Sequence, residues 1–371
     1  MNEKVAMLAL SRVQVSQLAL MRRLVEITGS AKELLENAAN IEDILPAATP
    51  RLKEILCDRT LIERANREME FIEKKNIKLI CLGDEEYPYR LAECPDAPLV
   101  LHSLGNANLN AKHIVSIVGT RHASEYGKEV CTNFVKDLAT FAPDTLIVSG
   151  LAYGVDVCAH RAALAAGLPT AGVLAHGLDQ IYPTANRATA KSMLENGGLL
   201  TEFMSETNPL PKFFVQRNRI VAGISDATVV IESASKGGSL ITASLAGSYS
   251  RDCFAFPGRI DDKYSQGCNE LVSRGKAALI TSAYDFVEAM NWETPAKKQN
   301  RALQTELFPE MTAEESAIIA ALQENSDGKQ INQLVVELNK PINALLPLLF
   351  EMEMKGYVKT VAGGSYRTLI H

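Results

Sequence analysis

Apolar positions in the first 75 residues recur at helical spacing, through Val5–Leu10, Leu18–Ile27 and Leu52–Phe71. Gly29-Ser30 closes one helix and caps the next, expected over Ala31–Ala39. Between 76 and 111 the pattern changes to two strand-like runs, Ile77–Leu82 and Pro98–His102, with turn residues at Gly83–Pro88 and an asparagine-rich Asn106–Asn110. From 112 onward, continuous apolar runs alternate with helical stretches such as Val155–Ala166 and Ser239–Ser250. The runs are Ile114–Val118, Thr145–Val148, Thr170–Ala175, Gly198–Thr201, Ala227–Ile231, Cys253–Phe256 and Ala278–Thr281. Strands apolar on both faces, alternating with helices, predict an α/β fold with a doubly wound parallel sheet. Glycine and polar residues stand repeatedly at the carboxyl ends of these runs, the edge on which open α/β sheets bind ligands.

Residues 291–310, with Pro295, Lys297, Lys298 and Arg301, read as a polar linker. Thr312 and Glu315 then form a capping box for a helix to Gln323. Gln330–Asn339 and Pro341–Lys355 follow as helices, and Tyr357–Val361 and Tyr366–Leu369 as a hairpin around Gly363-Gly364. Three helices and a hairpin predict a winged helix. The expected partition is a small all-α domain at 1–75, a connector at 76–111, the sheet domain at 112–290, the linker, and the winged helix at 311–371. The third helix of the wing carries Glu351 and Glu353 against Lys355, which suits a protein contact better than a phosphate surface. The short amino-terminal helices resemble a helix-hairpin-helix or sterile-alpha-motif module. The glycines with which such a hairpin touches DNA are replaced by Val13–Gln17, so a structural or protein-binding role is expected.

Hydrophobic content of 47% and charge of 22% describe an ordinary soluble chain. No apolar run reaches the length of a membrane span, and Met1–Lys4 lacks the features of a secretory signal. The seven cysteines are scattered without a Cys-x-x-Cys pair, and the six histidines are equally dispersed. Reduced thiols, a cytoplasmic location and no metal or cofactor are expected. A net charge of −6 is incompatible with a protein coated in phosphate-binding charge but leaves room for a local basic groove. One segment offers it: Pro209–Gly223 holds Lys212, Arg217 and Arg219, with no carboxylate between Glu206 and Asp226. Its two prolines predict an extended start, on which the adjacent Phe213 and Phe214 would send at least one ring outward. Cations beside an exposed ring suit a polyanion with flat bases, whereas a solvated turn with Phe214 in the core would leave them without function.

Smaller motifs lie on the strand ends. Gly119-Thr-Arg121 offers close backbone approach and a guanidinium fork for phosphate. Ser149–Gly154 is a glycine turn without dinucleotide spacing, and on the helix after it Asp156 and His160 read as a capping carboxylate and a packed histidine. Lys236–Thr242, with two glycines and two hydroxyls at a helix start, suits phosphate or sugar but is not a Walker loop. A nucleophile elbow and a zincin pair are absent from the sequence.

The order of these pieces is more specific than any one of them. Gly119-Thr-Arg121, Ser149-Gly-x-Ala-x-Gly154-Val-Asp156, Gly177-Leu-Asp179-x-x-Tyr-Pro183, Arg217-Asn-Arg219, Glu232-x-x-x-Lys236-x-Gly-Ser-Leu-Ile-Thr-Ala243 and Pro257-Gly258 together resemble the DNA-processing protein A (DprA/Smf) family. The resemblance implies an extended Rossmann-like domain that binds single-stranded DNA, forms homodimers and helps load RecA recombinase during natural transformation and homologous recombination. It further implies that Gly119, Arg121, Ser149 and Gly150 contact phosphates. Lys212, Phe214, Arg217, Asn218 and Arg219 would form a basic-aromatic loop, and Lys236, Ser239 and Thr242 a last glycine turn. Val215 stands where the family usually has proline, and Gly237 where serine is usual. The alternative is an enzyme resembling the lysine-decarboxylase-like nucleoside phosphate hydrolases. Lys236–Leu245 lacks the carboxylate that such an enzyme carries after its glycine turn, so a non-enzymatic binder is expected.

Overall fold

The computed structural model describes residues 2–12, 18–46, 48–292, 311–323, 328–361 and 365–369. Most of the linker, the Val13–Gln17 segment and the Gly363-Gly364 turn therefore lie outside the described residues. The chain divides into two compact units, Met1–Thr294 and Pro295–His371.

The first unit is built on a nine-stranded sheet. Its strands are β1 (Lys78–Cys81), β2 (Val100–Gly105), β3 (His113–Val118), β4 (Thr145–Ser149), β5 (Thr170–Val173), β6 (Gly197–Thr201), β7 (Ala227–Val230), β8 (Asp252–Ala255) and β9 (Ala278–Leu279). They lie in the order β1-β2-β6-β5-β4-β3-β7-β8-β9. From β6 to β9 every neighbouring pair is parallel, while β2 runs antiparallel to β6 and β1 antiparallel to β2. Alternate residues explain the burial on both faces. Ile114 and Val118 of β3 enter one core with Ile220, Val221 and Ala243 of the overlying helices, and Val115 and Ile117 enter the opposite core with Phe134, Val135 and Ala159.

Residues 76–111 do more than connect: they supply the two antiparallel strands at one sheet edge. β2 begins after the expected Pro98 and extends to Gly105. Proline has no N–H for a ladder, and pairing with β6 runs from His102↔Thr201 to Gly105↔Gly198. The amino-terminal helices share a core with this edge, where Val5–Leu10, Met21 and Leu24 pack with Leu79, Leu99 and Val100. A buried polar cluster reinforces the contact. Glu68 of the Arg59–Lys75 helix pairs with Arg64 at 3.0 Å and accepts from the backbone N–H (3.0 Å) and hydroxyl (2.6 Å) of Ser205.

One expected feature changes character. The segment after Pro209 is not extended through the phenylalanines; a helix runs Pro211–Gly223, with Pro211 in its first turn. Proline's fixed φ suits that position and its missing N–H costs nothing there.

The second unit holds helices Ala313–Gln323, Ile331–Glu337 and Ile342–Met354 and an antiparallel sheet of β10 (Lys329–Gln330), β11 (Val358–Val361) and β12 (Ser365–Thr368), in the order β10-β12-β11. Ile318, Leu322, Leu334, Leu345, Leu349, Met352 and Tyr357 form its core. Thr312 and Glu315 cap the first helix reciprocally: Glu315 accepts from the Thr312 N–H at 2.8 Å, and the Thr312 hydroxyl from the Glu315 N–H at 3.3 Å.

Candidate nucleic-acid interface

The strand order reverses direction of growth at β3, which has β4 on one side and β7 on the other. At such a point the connecting segments diverge and open a crevice at the carboxyl edge. A cleft of about 660 Å³ lies there, lined by the segments that leave β3, β4 and β7 and by the start of the Pro211–Gly223 helix.

Its floor is the turn after β3. The Thr120 N–H donates to the Glu232 carbonyl at 2.7 Å, and the Thr120 carbonyl accepts from the Val155 N–H at 3.1 Å. The Glu232 carboxylate accepts from the N–H (2.9 Å) and hydroxyl (2.5 Å) of Ser124, the residue that caps the Glu125–Phe141 helix. Glu232 is buried, and each of its carboxylate oxygens accepts one bond that holds this turn. Gly119 is required by crowding: a Cβ there would meet the Val155 side chain at 2.5 Å and the Glu232 carbonyl at 2.9 Å. Arg121 and His122 leave the turn exposed to solvent.

One wall comes from the Pro211–Gly223 helix. Phe214 and Asn218 lie one turn apart and both face the cleft. The Phe214 ring lies 5.8 Å from that of Tyr182, and the Arg121 guanidinium sits 5.1 Å above Phe214. Phe213 turns away and packs on Phe203 at 4.7 Å. The opposite wall is the glycine turn after β7, with Gly237, Gly238, Ser239 and Thr242, followed by Lys263 and Tyr264. The helices starting at Pro211, Val155 and Gly238 have no side-chain cap, and residues of each first turn line the cleft. Backbone bonds occupy several first-turn N–H groups, Val155 on the Thr120 carbonyl, Phe213 on Leu210 and Leu240 on Gly237, while the positive ends of the three helix dipoles favour anions. Asp156 is the one carboxylate among the lining residues, and it is buried.

Arg217 reaches the cleft from beneath. Its guanidinium donates to the Gly150 carbonyl at 2.6 Å and to the Val173 carbonyl, so it ties β4 and β5 together below the surface. A Cβ on Gly150 would fall 2.3 Å from that guanidinium, which explains the glycine. Burial lowers the Arg217 pKa to about 10, with Asp156 opposing the shift, so the group is charged at neutral pH. Burial raises Asp156 above the ordinary carboxyl range, and the charge of Arg217 pulls it back.

Of the twelve residues expected at the site, the structure brings Gly119, Arg121, Gly150, Phe214, Arg217, Asn218, Ser239 and Thr242 to one cleft. Four stand elsewhere. Arg219 lies on the far side of its helix, 3% exposed, paired with the Glu202 carboxylate and donating to the Asp96 carbonyl at 2.5 Å. Residues two apart on a helix point in nearly opposite directions, so Arg217 and Arg219 cannot share a ligand. Ser149 is buried and donates to the Ile117 carbonyl at 2.5 Å. Lys212 and Lys236 are exposed beside the cleft, Lys212 lying 5.0 Å over the Phe213 ring. His122, Tyr182, Lys263 and Tyr264 line the cleft without having been singled out from the sequence. Tyr182-Pro183 closes a motif read only as part of a resemblance. Lys263 and Tyr264 follow Pro257-Gly258 on the same carboxyl edge, which was the available signal.

The family model for DNA recombination-mediator protein A matches residues 78–291, spanning this sheet and the cleft. The chain belongs to that family. It is 38% identical to the DNA processing protein DprA of Bacillus subtilis over 218 residues, covering 58% of this chain and 72% of that relative. Among solved structures it is similar to DprA of Streptococcus pneumoniae, with a TM-score of 0.58 and 31% identity over 72% of this chain and 96% of that one. It also resembles DprA of Helicobacter pylori, described in a single-stranded DNA binding mode, with a TM-score of 0.52 and 30% identity over 58% and 95% of the two chains. Both structural likenesses to this recombination-mediator family cover nearly the whole of the other chain.

Proposed function

We propose that the chain binds single-stranded DNA in the β3–β4–β7 cleft, without catalysis, and acts as a mediator that helps load RecA recombinase. The observation that carries this reading is the meeting of Arg121, Phe214 and Tyr182 above a glycine turn flanked by uncapped helix starts. Guanidinium and backbone N–H groups hold phosphates, glycine lets the backbone approach, and rings stack on unpaired bases. Duplex DNA has no free base faces for those rings. The single-stranded DNA binding described for the H. pylori relative supports the assignment. In this reading Arg121, Gly119, Gly150, Asn218, Ser239 and Thr242 contact the strand, and Lys212 and Lys236 draw its backbone over the rim. Arg217 shapes the floor, and Ser149 and Arg219 act indirectly by holding β4 and the site helix.

Glycosidic hydrolysis needs a carboxylate at the reacting bond. Glu232, the nearest candidate by sequence, is spent on Ser124, which supports a binder rather than an enzyme. The second unit has the helix and strand content of a winged helix. Its third helix exposes Ile342, Leu346, Phe350 and Met354, a face better suited to protein than to phosphate, as are the acids beside it. Homodimer formation and a cytoplasmic setting complete the proposal.

Fluorescence anisotropy of labelled single- and double-stranded oligonucleotides at several salt concentrations tests it. Tighter binding of single strands, weakening steeply with salt, is expected. Equal affinity for both forms, or none, would overturn the assignment.

A further inference from the structure

We propose that the cleft stacks nucleobases on two separate walls, the second being a subsite formed by Tyr264, His122 and Lys263. This rests on the single-strand reading above and specifies how that strand is held.

The turn after β3 carries two exposed side chains in succession that diverge. Arg121 covers Phe214 on one side. His122 turns to the other side, where its ring lies 6.2 Å from Tyr264 with an interplanar angle of only 28°. The Lys263 ammonium sits 5.5 Å over the same tyrosine. Each wall therefore repeats one arrangement, an aromatic face with a cation against it, and the phosphate-accessible turn lies between them. A ring with a cation beside it is what a stacked base and its phosphate require, whatever the base.

The second wall is a fixed platform. The Tyr264 carbonyl accepts from the Ser233 N–H at 2.7 Å, and the Ser233 carbonyl from the Gly267 N–H at 2.8 Å, which ties the tyrosine to the end of β7. The backbone that carries His122 is held by its N–H, which donates to the Thr120 hydroxyl at 3.1 Å. Asp261 and Asp262 precede Lys263 but do not line the cleft, so they leave the cation facing the strand. A single polynucleotide crossing the turn would place bases on Phe214 and Tyr182, phosphates over Gly119–Arg121, and further bases on Tyr264.

The test uses the full chain and a labelled oligothymidylate in which one abasic position is scanned along the length. Wild-type protein is expected to show two separated groups of positions where loss of the base weakens binding. Tyr264→Ala should lower affinity for the intact oligonucleotide about tenfold and silence one group. Tyr264→Phe, which keeps the ring, should restore both affinity and profile. Phe214→Ala should silence the other group. Lys263→Gln should reduce the slope of log affinity against log salt by about 0.7. A wild-type profile in Tyr264→Ala, or a single group erased by Phe214→Ala alone, would overturn the second wall while leaving single-strand binding intact. Absence of single-strand preference in wild-type protein would instead defeat the underlying reading, and with it this one.

Discussion

Two arginines two positions apart have different physical roles. Arg219 is enclosed with Glu202, whose carboxyl is raised by burial and pulled down by the arginine. Removing Arg219 strands a buried carboxylate, so Arg219→Ala should cost about 3–5 kcal/mol of stability, seen as a lower midpoint in denaturant unfolding. Arg121 is exposed and, among the described residues, rests against the Phe214 face. Arg121→Ala should leave the unfolding midpoint unchanged, weaken single-strand binding about tenfold across sequences and lower the salt slope by about 0.7. Measuring both quantities on both variants separates a strut from a contact. His160 provides a residue-level test of the floor. It is buried beside Thr170, its pKa lowered to about 3 by burial and then by Arg217, against an ordinary value of 6.5. The unfolded chain thus binds a proton between pH 6.5 and 3 that the folded chain refuses. Stability contributed above pH 6.5 is lost as pH falls through that window, at up to about 1.4 kcal/mol per pH unit. Denaturant unfolding at stepped pH should show this decline, and His160→Gln should make it shallower, leaving the part that the lowered His102, His113 and His176 contribute.

Two anchoring devices hold the segments that line the cleft in place. Glu232 clamps the β3 turn to the start of the Glu125–Phe141 helix through Ser124. Ser124→Ala removes a cap and should cost about 1 kcal/mol. It should also weaken single-strand binding although the side chain does not line the cleft, because Arg121 and His122 lose their mount. The second anchor lies farther off. Glu68 and Arg64 grip Ser205, four residues before Pro209 enters the cleft lining. Glu68→Ala should expose residues 203–214 to faster hydrogen exchange while the central strands keep their protection, since this segment would open without global unfolding. Unchanged exchange there would show that the amino-terminal helices contribute nothing to positioning the site helix.

At the scale of the molecule, the family match ends at residue 291, within the unit Met1–Thr294, and every cleft residue lies in that unit. A fragment of residues 1–294 should therefore bind single strands within about threefold of the full chain, by the same anisotropy measurement. A large loss would mean that the second unit contributes to the strand contact. The expected alternation of strands and helices between 112 and 290 agrees with the observed parallel sheet, because strands buried on both faces need continuous apolar runs whatever their neighbours. The two strand-like runs expected in the connector, Ile77–Leu82 and Pro98–His102, are the antiparallel edge strands β1 and β2, and what the local pattern left open is their place in this sheet, which depends on pairing with the distant β6.

Local sequence determined where most strands and helices fall and which edge of the sheet carries glycine and polar ends, while the assignment of Arg121 and Phe214 to one site came from the resemblance in motif order. Hydrophobic period and turn chemistry are short-range properties, so one chain suffices to read them. The tertiary structure alone decided which cations are available to a ligand. Arg217 commits one guanidinium nitrogen to the Gly150 carbonyl just after β4 and the Val173 carbonyl at the end of β5, and Arg219 is taken up by Glu202 and Asp96, partners brought together only by the sheet order. It alone also placed Tyr182 and Tyr264 on opposite sides of the β3 turn. Whether a charge is exposed or an aromatic ring faces a cleft depends on contacts between distant segments, and no periodicity along the chain encodes them.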